Sequence, residues 1–184
     1  MKDIILTGQK HCGKTSAGKI LASLLSCGFF DIDELIFKNT GKKPRQLFKE
    51  SPELFKKAET EAAVKLFDLS LETSPPPKLD FRVIACGGGL IDNSDAVKVI
   101  TASGAIKVFL EVSADTAWER ILREKELPSF IDPANPQKDH LLIHERRSAA
   151  YRQFADIVID ADKKTPEETA SEIVSIISIN TPTC

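Results

Sequence analysis

The sequence has no excess of positive charge and no long apolar run. Its 25 Lys and Arg residues are balanced by 27 Asp and Glu residues, which gives a formal net charge of −2. A nucleic-acid-binding module is therefore not expected, since such modules carry a basic excess. No stretch approaches the roughly 18 apolar residues that cross a bilayer, and Asp3 and Gly8 interrupt the region where a signal peptide would have its apolar core. We expect a cytoplasmic protein with no membrane partner.

Cysteine is also scarce, and the four residues that occur are far apart. They form no CxxC pair and lack the spacing of a zinc site, so the pattern predicts neither a disulfide framework nor a metal cage. We expect reduced thiols at all four positions, which are Cys12, Cys27, Cys86 and Cys184.

The length and composition fit one folded domain. The chain has 184 residues, of which 42% are hydrophobic, so disorder is excluded as its main state. No internal repeat or second domain is apparent in the sequence. We expect a single domain over residues 1–184, with a short tail at 180–184.

Short apolar runs alternate with amphipathic stretches along the chain. This alternation predicts a five-stranded parallel sheet with helices on both faces, in a three-layer α/β/α fold. Helices are expected to begin at the Ser51–Pro52 pair, after Ser113 and at the capping box formed by Thr165 and Glu168. The predicted strands are residues 3–7, 29–33, 82–86, 105–110 and 157–159, and the predicted helices are residues 14–25, 52–69, 114–126 and 166–177.

The clearest motif is the segment GQKHCGKT at residues 8–15, which matches G-x-x-x-x-G-K-[ST] at every fixed position. Its glycines let successive backbone N–H groups curl around a phosphate at the positive end of the following helix. Lys14 would bind the β- and γ-phosphates of ATP, and Thr15 would place a hydroxyl on Mg²⁺. We expect His11 to point to solvent. The candidate ATP-binding residues of this loop are Gly8, Lys10, His11, Cys12, Gly13, Lys14, Thr15 and Ser16.

Two acidic residues follow the second predicted strand. Asp31 and Asp33 are two positions apart, so strand periodicity predicts that their side chains project from one face of the sheet. The carboxyl edge of an open α/β sheet is where ligands bind. One carboxylate can help to hold Mg²⁺, and the other can orient or deprotonate a substrate hydroxyl.

Glycine and arginine provide further candidates. Gly87, Gly88 and Gly89 follow the third predicted strand at the same sheet edge, where residues without a Cβ allow close approach to a ligand. A basic surface is also expected, with about one residue in three reaching a ligand, at Lys56, Lys57, Arg120, Arg146, Arg147 and Arg152.

Two proline-rich segments break the alternation of strands and helices. Residues 73–80 (TSPPPKLD) contain three consecutive prolines, which cannot continue a helix or sit in a central strand, and predict an exposed connection. Residues 127–138 carry Pro128, Pro133 and Pro136 and no regular period. In a nucleotide enzyme, a loop of this length predicts a mobile lid.

Taken together, these motifs resemble the shikimate kinase family of P-loop, nucleoside-monophosphate-kinase-like proteins. The resemblance covers residues 2–178 and rests on five segments in order. They are GQKHCGKT at 8–15, DID at 31–33, FKKAE at 55–59, GGG at 87–89 and RSAAY at 147–151 with Ala155–Asp156 after it.

The resemblance implies a P-loop kinase that transfers the γ-phosphate of ATP to the 3-hydroxyl of shikimate. Lys14 and Asp33 would be catalytic, with Asp33 as the candidate base that also binds the shikimate hydroxyls, and Thr15 and Asp31 would lie at Mg²⁺. Arg120 would lie against the adenine. The shikimate-binding residues would be Asp33, Lys56, Gly87, Gly88, Gly89 and Arg147, with Arg147 on the carboxylate. Family members are commonly monomeric, so a monomer is expected.

The sequence departs from the family pattern at two positions. Lys56 stands where the family has a substrate-binding arginine, which keeps the charge but loses the planar bidentate geometry. Leu127 stands where the family's lid carries an arginine that reaches the ATP phosphates, and this loss predicts a low rate. The cations that could replace it are Lys10, Arg123, Lys125 and Lys138, and the sequence does not select among them.

Two alternatives stay open at this level. The altered clamp at Lys56 favours a kinase of another small hydroxy acid, such as gluconate. The lid residue Leu127 favours a catalytically weak, nucleotide-binding regulator.

Overall fold

The computed structural model describes residues 3–67, 82–124, 127–128 and 130–180. The predicted connection at 73–80, Leu69, Lys125, Cys184 and residues 181–184 of the predicted tail lie outside these ranges. Within them, five strands form one parallel sheet, as the alternation of elements predicts, and their order is β2–β3–β1–β4–β5. The strands are β1 (Ile4–Thr7), β2 (Gly28–Asp31), β3 (Arg82–Ala85), β4 (Ile106–Glu111) and β5 (Ile157–Asp160).

The described residues also form eight α-helices, which cover both faces of the sheet. None of these helices is long and apolar enough to cross a membrane. A short 3₁₀ turn at Leu90–Asp92 follows β3. The helices are α1 (Lys14–Leu24), α2 (Ile32–Thr40), α3 (Pro44–Glu50), α4 (Pro52–Phe67), α5 (Ser94–Ala102), α6 (Ala114–Leu122), α7 (Pro136–Phe154) and α8 (Pro166–Asn180).

The core consists of two apolar clusters, one on each face of the sheet. Because successive side chains of a strand point to opposite faces, β1 contributes to both clusters. Ile4 and Leu6 pack with residues of α1 and α8, whereas Ile5 packs with residues of α2, α4 and α5. All three side chains are fully buried, and β1 is therefore the central strand on which both layers rest.

The predicted helix caps are confirmed. The Ser113 hydroxyl accepts a hydrogen bond from the backbone N–H of Thr116 at 3.1 Å. At the start of α8, the backbone N–H of Thr165 donates to the Glu168 carboxylate at 2.8 Å, and the N–H of Glu168 donates to the Thr165 hydroxyl at 3.2 Å. Each pair satisfies backbone donors that the first turn of a helix leaves without partners.

Several predicted boundaries differ from the structure, and the last helix continues to Asn180 rather than to residue 177. The second strand ends at Asp31 rather than at residue 33, because the Asp31 side chain caps α2 and begins a helix there. Helix α6 ends at Leu122 instead of continuing to residue 126. The last residues of the predicted lid, 136–138, belong to α7, because Pro136 occupies its first turn, a position that tolerates proline.

Candidate active site

The loop between β1 and α1 adopts the conformation that its glycines predict. Gly8 and Gly13 have φ angles of 137° and 97°, in the region that favours glycine. A Cβ on Gly8 would also lie 2.6 Å from the backbone oxygen of Leu110. Gly13 immediately precedes α1, and no side chain caps that end of the helix. The first N–H groups of α1 are therefore available to an anion.

Lys14 is buried and folds back onto this loop. Its Nζ donates to the carbonyl oxygen of Gly8 at 2.8 Å and to that of Gln9 at 2.7 Å. Cys12 is buried beneath the loop, with its Sγ 3.4 Å from the same Nζ. These contacts hold one positive charge at the wall of a cavity.

That cavity has a volume of about 380 Å³ and contains most of the predicted nucleotide-binding side chains. Arg120 of α6 reaches it from the far side, where its guanidinium donates to the carbonyl oxygen of His11 at 2.7 Å. The lining residues are His11, Gly13, Lys14, Thr15, Ser16 and Arg120. Arg120 therefore lies at this cavity, and its place against the adenine stays a prediction.

His11 does not point to solvent as predicted. Its side chain is 21% exposed, and its Nε2 lies 3.3 Å from a carboxylate oxygen of Glu124. Burial lowers the pKa of His11, and the positive charge of Lys10 lowers it further, while Glu124 acts in the opposite direction. His11 is therefore neutral near pH 7 and adds little charge to the cavity.

A second, larger cavity of about 540 Å³ lies on the other side of the loop. Its walls come from α2, α3 and α4, from the glycines after β3, and from the predicted lid. Its apolar wall consists of Phe37, Pro44, Phe48, Phe55, Pro128 and Phe130. Its polar wall consists of Lys10, Asp31, Asp33, Glu34, Lys43, Arg45, Lys56, Asp92 and Arg147, together with Gly87, Gly88 and Gly89. Charges of both signs beside an apolar wall suit a small ligand with several polar groups.

The two aspartates after β2 lie side by side, but not for the predicted reason. Asp31 caps α2 by accepting from the backbone N–H of Asp33 at 2.9 Å, and its other carboxylate oxygen accepts from the Thr15 hydroxyl at 2.9 Å. Asp33 lies in the first turn of α2, not on a strand. The helix cap, and not the two-residue period of a strand, brings both carboxylates to the cavity.

The surroundings of Asp33 shift its pKa. Burial raises its pKa to about 6, and the neighbouring charge of Asp31 contributes, whereas Lys14 and Lys10 oppose the rise. Its Oδ1 is buried without a hydrogen-bond partner in the described structure. A carboxylate with a raised pKa and an unused oxygen, facing a cavity, has the properties of a general base.

Glu59 is a second buried carboxylate at this edge of the cavity. One of its oxygens accepts from the Asn93 amide at 2.9 Å, while burial raises its pKa to about 7. A Cβ on Gly87 would lie 3.0 Å from Glu59 Oε1 and 3.2 Å from Asp33 Oδ1. Gly87 therefore leaves the space into which both carboxylates face.

Arg147 also lines the larger cavity, and neighbouring side chains hold it in place. Its Nε and NH2 groups donate to Asp92 at 2.9 Å and 2.8 Å, and its guanidinium lies 4.6 Å from the ring centroid of Phe130. Its NH1 group lies 3.5 Å from the carbonyl oxygen of Gly88, at the limit of a hydrogen bond. A guanidinium held on one edge by Asp92 can offer its other edge to a carboxylate.

The two cavities share a wall. A Cβ on Gly88 would lie 2.6 Å from the backbone nitrogen of Lys10 and 3.0 Å from its Cα. Only glycine fits at that separation, so the turn after β3 packs directly on the phosphate-binding loop. The loop at residues 8–15 and the glycines after β3 are thus neighbours.

The structure separates the predicted basic residues into two groups. Lys56 and Arg147 line the larger cavity, and Arg120 lines the smaller one. Arg146 pairs with Asp92, Arg152 with Glu111, and Lys57 lies 4.0 Å from Glu61. Sequence reasoning missed Arg45, Phe48, Asp92 and Phe130, which line the larger cavity, because no local motif marks them.

The protein has a phosphate-binding loop after the first strand of a parallel sheet, and beside this loop a cavity with a carboxylate whose pKa is raised. This combination defines a nucleotide-dependent kinase of small molecules. The family model for shikimate kinase matches residues 10–178. The chain is 33% identical over 175 residues to the shikimate kinase of Caldanaerobacter subterraneus subsp. tengcongensis, covering 95% of each chain. It is 33% identical over 181 residues to that of a Sulfurihydrogenibium species, covering 96% of this chain and 98% of the other.

Solved structures agree. The fold matches a shikimate kinase from Acinetobacter baumannii in complex with shikimate with a TM-score of 0.85 and 26% identity, covering 100% of this chain and 96% of the other. The shikimate kinase of Aquifex aeolicus gives a TM-score of 0.75 at 29% identity, with 97% of each chain covered. The chain belongs to the shikimate kinase family, and its site is that of an ATP-dependent kinase.

Proposed function

We propose that this protein transfers the γ-phosphoryl group of ATP to the 3-hydroxyl of shikimate, on the way to chorismate and the aromatic amino acids. The main support is the position of Asp33, whose buried carboxylate faces the larger cavity beside the phosphate-binding loop. A family member of the same fold has been crystallised with shikimate. The mixed charges of the cavity suit an acid with several hydroxyls.

Each side chain has a separate task in the proposed reaction. Lys14 and the N–H groups at the start of α1 bind the phosphates, and Arg120 closes the nucleotide cavity. Asp33 accepts the hydrogen bond of the attacking hydroxyl and takes its proton. Arg147 and Lys56 bind the carboxylate of the acid. Phosphoryl transfer depends mainly on such positioning and on charge neutralisation.

Thr15 and Asp31 are the residues that would hold Mg²⁺. Their oxygens are 2.9 Å apart and exposed, and hydroxyl and carboxylate oxygens are ligands that this hard cation prefers. The described residues contain no cluster of three or more His, Cys, Asp or Glu side chains arranged for a metal, so water and the phosphates would complete the shell. When bound, the ion shields the phosphate charges.

The proposal includes closure of the lid at residues 127–138. This segment already contributes Pro128 and Phe130 to the wall of the larger cavity. Closure would exclude water and limit the hydrolysis of ATP.

We further propose a cytoplasmic monomer. Cys12, Cys27 and Cys86 are free thiols, as expected in a reducing compartment. Sedimentation at micromolar concentration should give a single species of the mass of one chain.

The test is a coupled assay that measures ADP formation from MgATP with shikimate. We expect saturable turnover with shikimate, and a loss of about 100-fold or more in kcat for Asp33→Asn, because the amide cannot accept the proton. Gluconate, assayed in parallel, should give no turnover. Wild-type turnover no faster than that of Asp33→Asn, or a preference for gluconate, would contradict the proposed function.

A further inference from the structure

The lid contributes no positive charge to the larger cavity in the described structure. Of the described residues in 127–138, those that line the cavity are Pro128 and Phe130, and both are apolar. Lys138 and Arg123, at the two ends of this region, are exposed and line neither cavity. A transferring phosphoryl group carries charge on three oxygens and needs cations around it. On the side of the larger cavity, any such cation therefore comes from another element.

Lys10 lies between the two cavities. It belongs to the phosphate-binding loop, its side chain lines the cavity that holds Asp33, and the next residue, His11, lines the nucleotide cavity. Its positive charge acts in both directions, since it lowers the pKa of Asp33 on one side and that of His11 on the other. Its backbone is fixed by the close packing of Gly88.

The other cations of the larger cavity have different surroundings. Arg147 is bound to Asp92, and Arg45 donates to the carbonyl oxygen of Leu127 at 2.8 Å. Lys56 lies on α4, away from the phosphate-binding loop. Among the described cations that line the larger cavity, Lys10 is the one that belongs to the phosphate-binding loop.

The partner of Lys10 in this structure is an acidic residue that a phosphate can replace. Lys10 Nζ lies 2.5 Å from Glu124 Oε2, and both side chains are more than one third exposed, at 36% and 38%. An exposed pair of this kind is weak because water screens it. Glu124 lies two residues after α6, just before the lid.

We propose that Lys10 binds the γ-phosphoryl group during its transfer, and that Glu124 holds this lysine until the nucleotide replaces the carboxylate. The inference rests on the proposed kinase activity. In the transfer, the substrate hydroxyl oxygen forms a bond to the γ-phosphorus while the bond from phosphorus to the β,γ-bridging oxygen breaks. The proton of the hydroxyl passes to Asp33, ADP leaves with the electron pair, and Lys10 donates hydrogen bonds to the γ-phosphoryl oxygens throughout.

Rapid-quench measurements on Lys10→Met, Lys10→Arg and a matched control test this role. Lys42→Met is the control, because Lys42 pairs with Glu50 at 2.7 Å with similar exposure and lines neither cavity. We expect Lys10→Met to lower the rate of phosphoryl transfer by about 100-fold, as the loss of one donor to a transition state does, with the KM values for ATP and shikimate changed less than about threefold. Lys10→Arg should restore most of the rate, and Lys42→Met should match the wild type. A higher KM for shikimate with unchanged kcat, or a rate within about threefold of the wild type, would overturn the proposal.

A second measurement does not depend on shikimate turnover. ADP with aluminium fluoride mimics a transferring phosphoryl group, so the ratio of its affinity to that of ADP alone reports binding of that group. We expect Lys10→Met to reduce this ratio by about 100-fold and Glu124→Gln to raise it severalfold, because the competing carboxylate is gone. An unchanged ratio in Lys10→Met, or a lower one in Glu124→Gln, would overturn the inference. Failure of the proposed function would give a different result. The wild-type protein would then bind ADP with aluminium fluoride but would not phosphorylate shikimate.

Discussion

The ionised Asp33 side chain is proposed to act as the general base, and the same ionised form lowers the free energy of unfolding. Burial raises its pKa to about 6, with Asp31 adding to the rise, so the folded protein disfavours the ionised form that a general base needs. A carboxyl group whose folded pKa lies above its unfolded pKa destabilises the fold when ionised. That destabilisation is complete above the folded pKa and disappears as the pH falls below the unfolded value.

Asp33→Asn should therefore stabilise the protein while it removes activity. We expect the free energy of unfolding to increase by about 1–3 kcal/mol at pH 8, and the increase to vanish at about pH 3, below the unfolded pKa, where Asp33 is protonated in both states. Urea denaturation of both proteins across this pH range is the measurement. Equal stability at pH 8 would show that Asp33 is not held at a raised pKa.

Arg147 fixes the orientation of the acid. We expect Arg147→Ala to raise the KM for shikimate about 10- to 100-fold, because a charged hydrogen bond to a buried carboxylate contributes about 1.5–3 kcal/mol. The KM for ATP should change little. Arg147→Lys keeps the charge, but it cannot bond to Asp92 and to a carboxylate in the same planar arrangement, so it should recover only part of the affinity. Steady-state kinetics separate these outcomes, and an unchanged KM for shikimate in Arg147→Ala would place the carboxylate elsewhere.

At the scale of elements, α7 shows why part of this site cannot be predicted from sequence. The side chains that it buries are His140, His144, Arg147, Ser148 and Tyr151. Their spacing is helical, but four of the five are polar, so no apolar stripe marks the helix. Burial lowers the pKa of both histidines, which are therefore neutral near pH 7. The RSAAY motif indicates the position of Arg147 only through its resemblance to a family.

Helix α7 is tied to the phosphate-binding loop by one buried side chain. The Gln9 amide donates to the carbonyl oxygen of His144 at 2.8 Å and to the Ser148 hydroxyl at 2.9 Å. Because Arg147 lies on the same helix, Gln9 connects the loop that would bind the nucleotide to the residue that would bind the acid. The nucleotide and acid sites are thereby coupled through a direct contact.

Gln9→Leu should weaken this coupling. We expect a loss of about 1–3 kcal/mol in the free energy of unfolding, since the buried partners of the amide lose their donor. The KM for shikimate should also rise, whereas a purely structural defect would leave it unchanged. Ser148→Ala keeps the bond to His144 and should have a smaller effect on both quantities. Urea denaturation and steady-state kinetics measure the two effects, and equal effects of the two substitutions would contradict this role of Gln9.

The short elements around the larger cavity were also not predictable. Helix α3 has seven residues, too few for a hydrophobic period to be recognised, yet it supplies Arg45 and Phe48 to the cavity. By contrast, the loop at residues 8–15 is local in sequence, and its spacing alone predicts its conformation and its place between β1 and α1. The pairing of Asp31 with Asp33 was predicted, although the helix cap that causes it was not.

For the whole molecule, the sheet and its two apolar layers follow from the alternation of strands and helices. The cavities do not, because their walls combine residues from position 10 to position 147 that no short pattern connects. Each cavity exists only when the chain is folded. Ligands that fill both cavities therefore bind the folded state and contact distant parts of the chain.

Substrate binding should consequently stabilise the whole fold. At 100 times its dissociation constant, a ligand adds about 2.7 kcal/mol, which corresponds to a rise in Tm of about 5–10 °C for a chain of this size. Lys14→Ala should lose the rise produced by ATP and keep the rise produced by shikimate, because Lys14 lines only the smaller of the two described cavities. Differential scanning calorimetry would show this, and a loss of both responses in Lys14→Ala would mean that Lys14 is needed for binding in the larger cavity as well.

The contact between Gly88 and the backbone of Lys10 bears on inhibitor design. A Cβ there would be 2.6 Å from the Lys10 nitrogen, and Lys10 lines the larger cavity while the next residue, His11, lines the smaller one, so the loop backbone at residues 10–11 separates the two chambers. A bisubstrate compound, with a hydroxylated cyclic acid joined to an oligophosphate by a short tether, could therefore span both chambers at once. A Gly88→Ala substitution would push the two backbones apart and weaken binding of such a compound. It would also misalign the natural substrates, so resistance by this route would impair the enzyme itself.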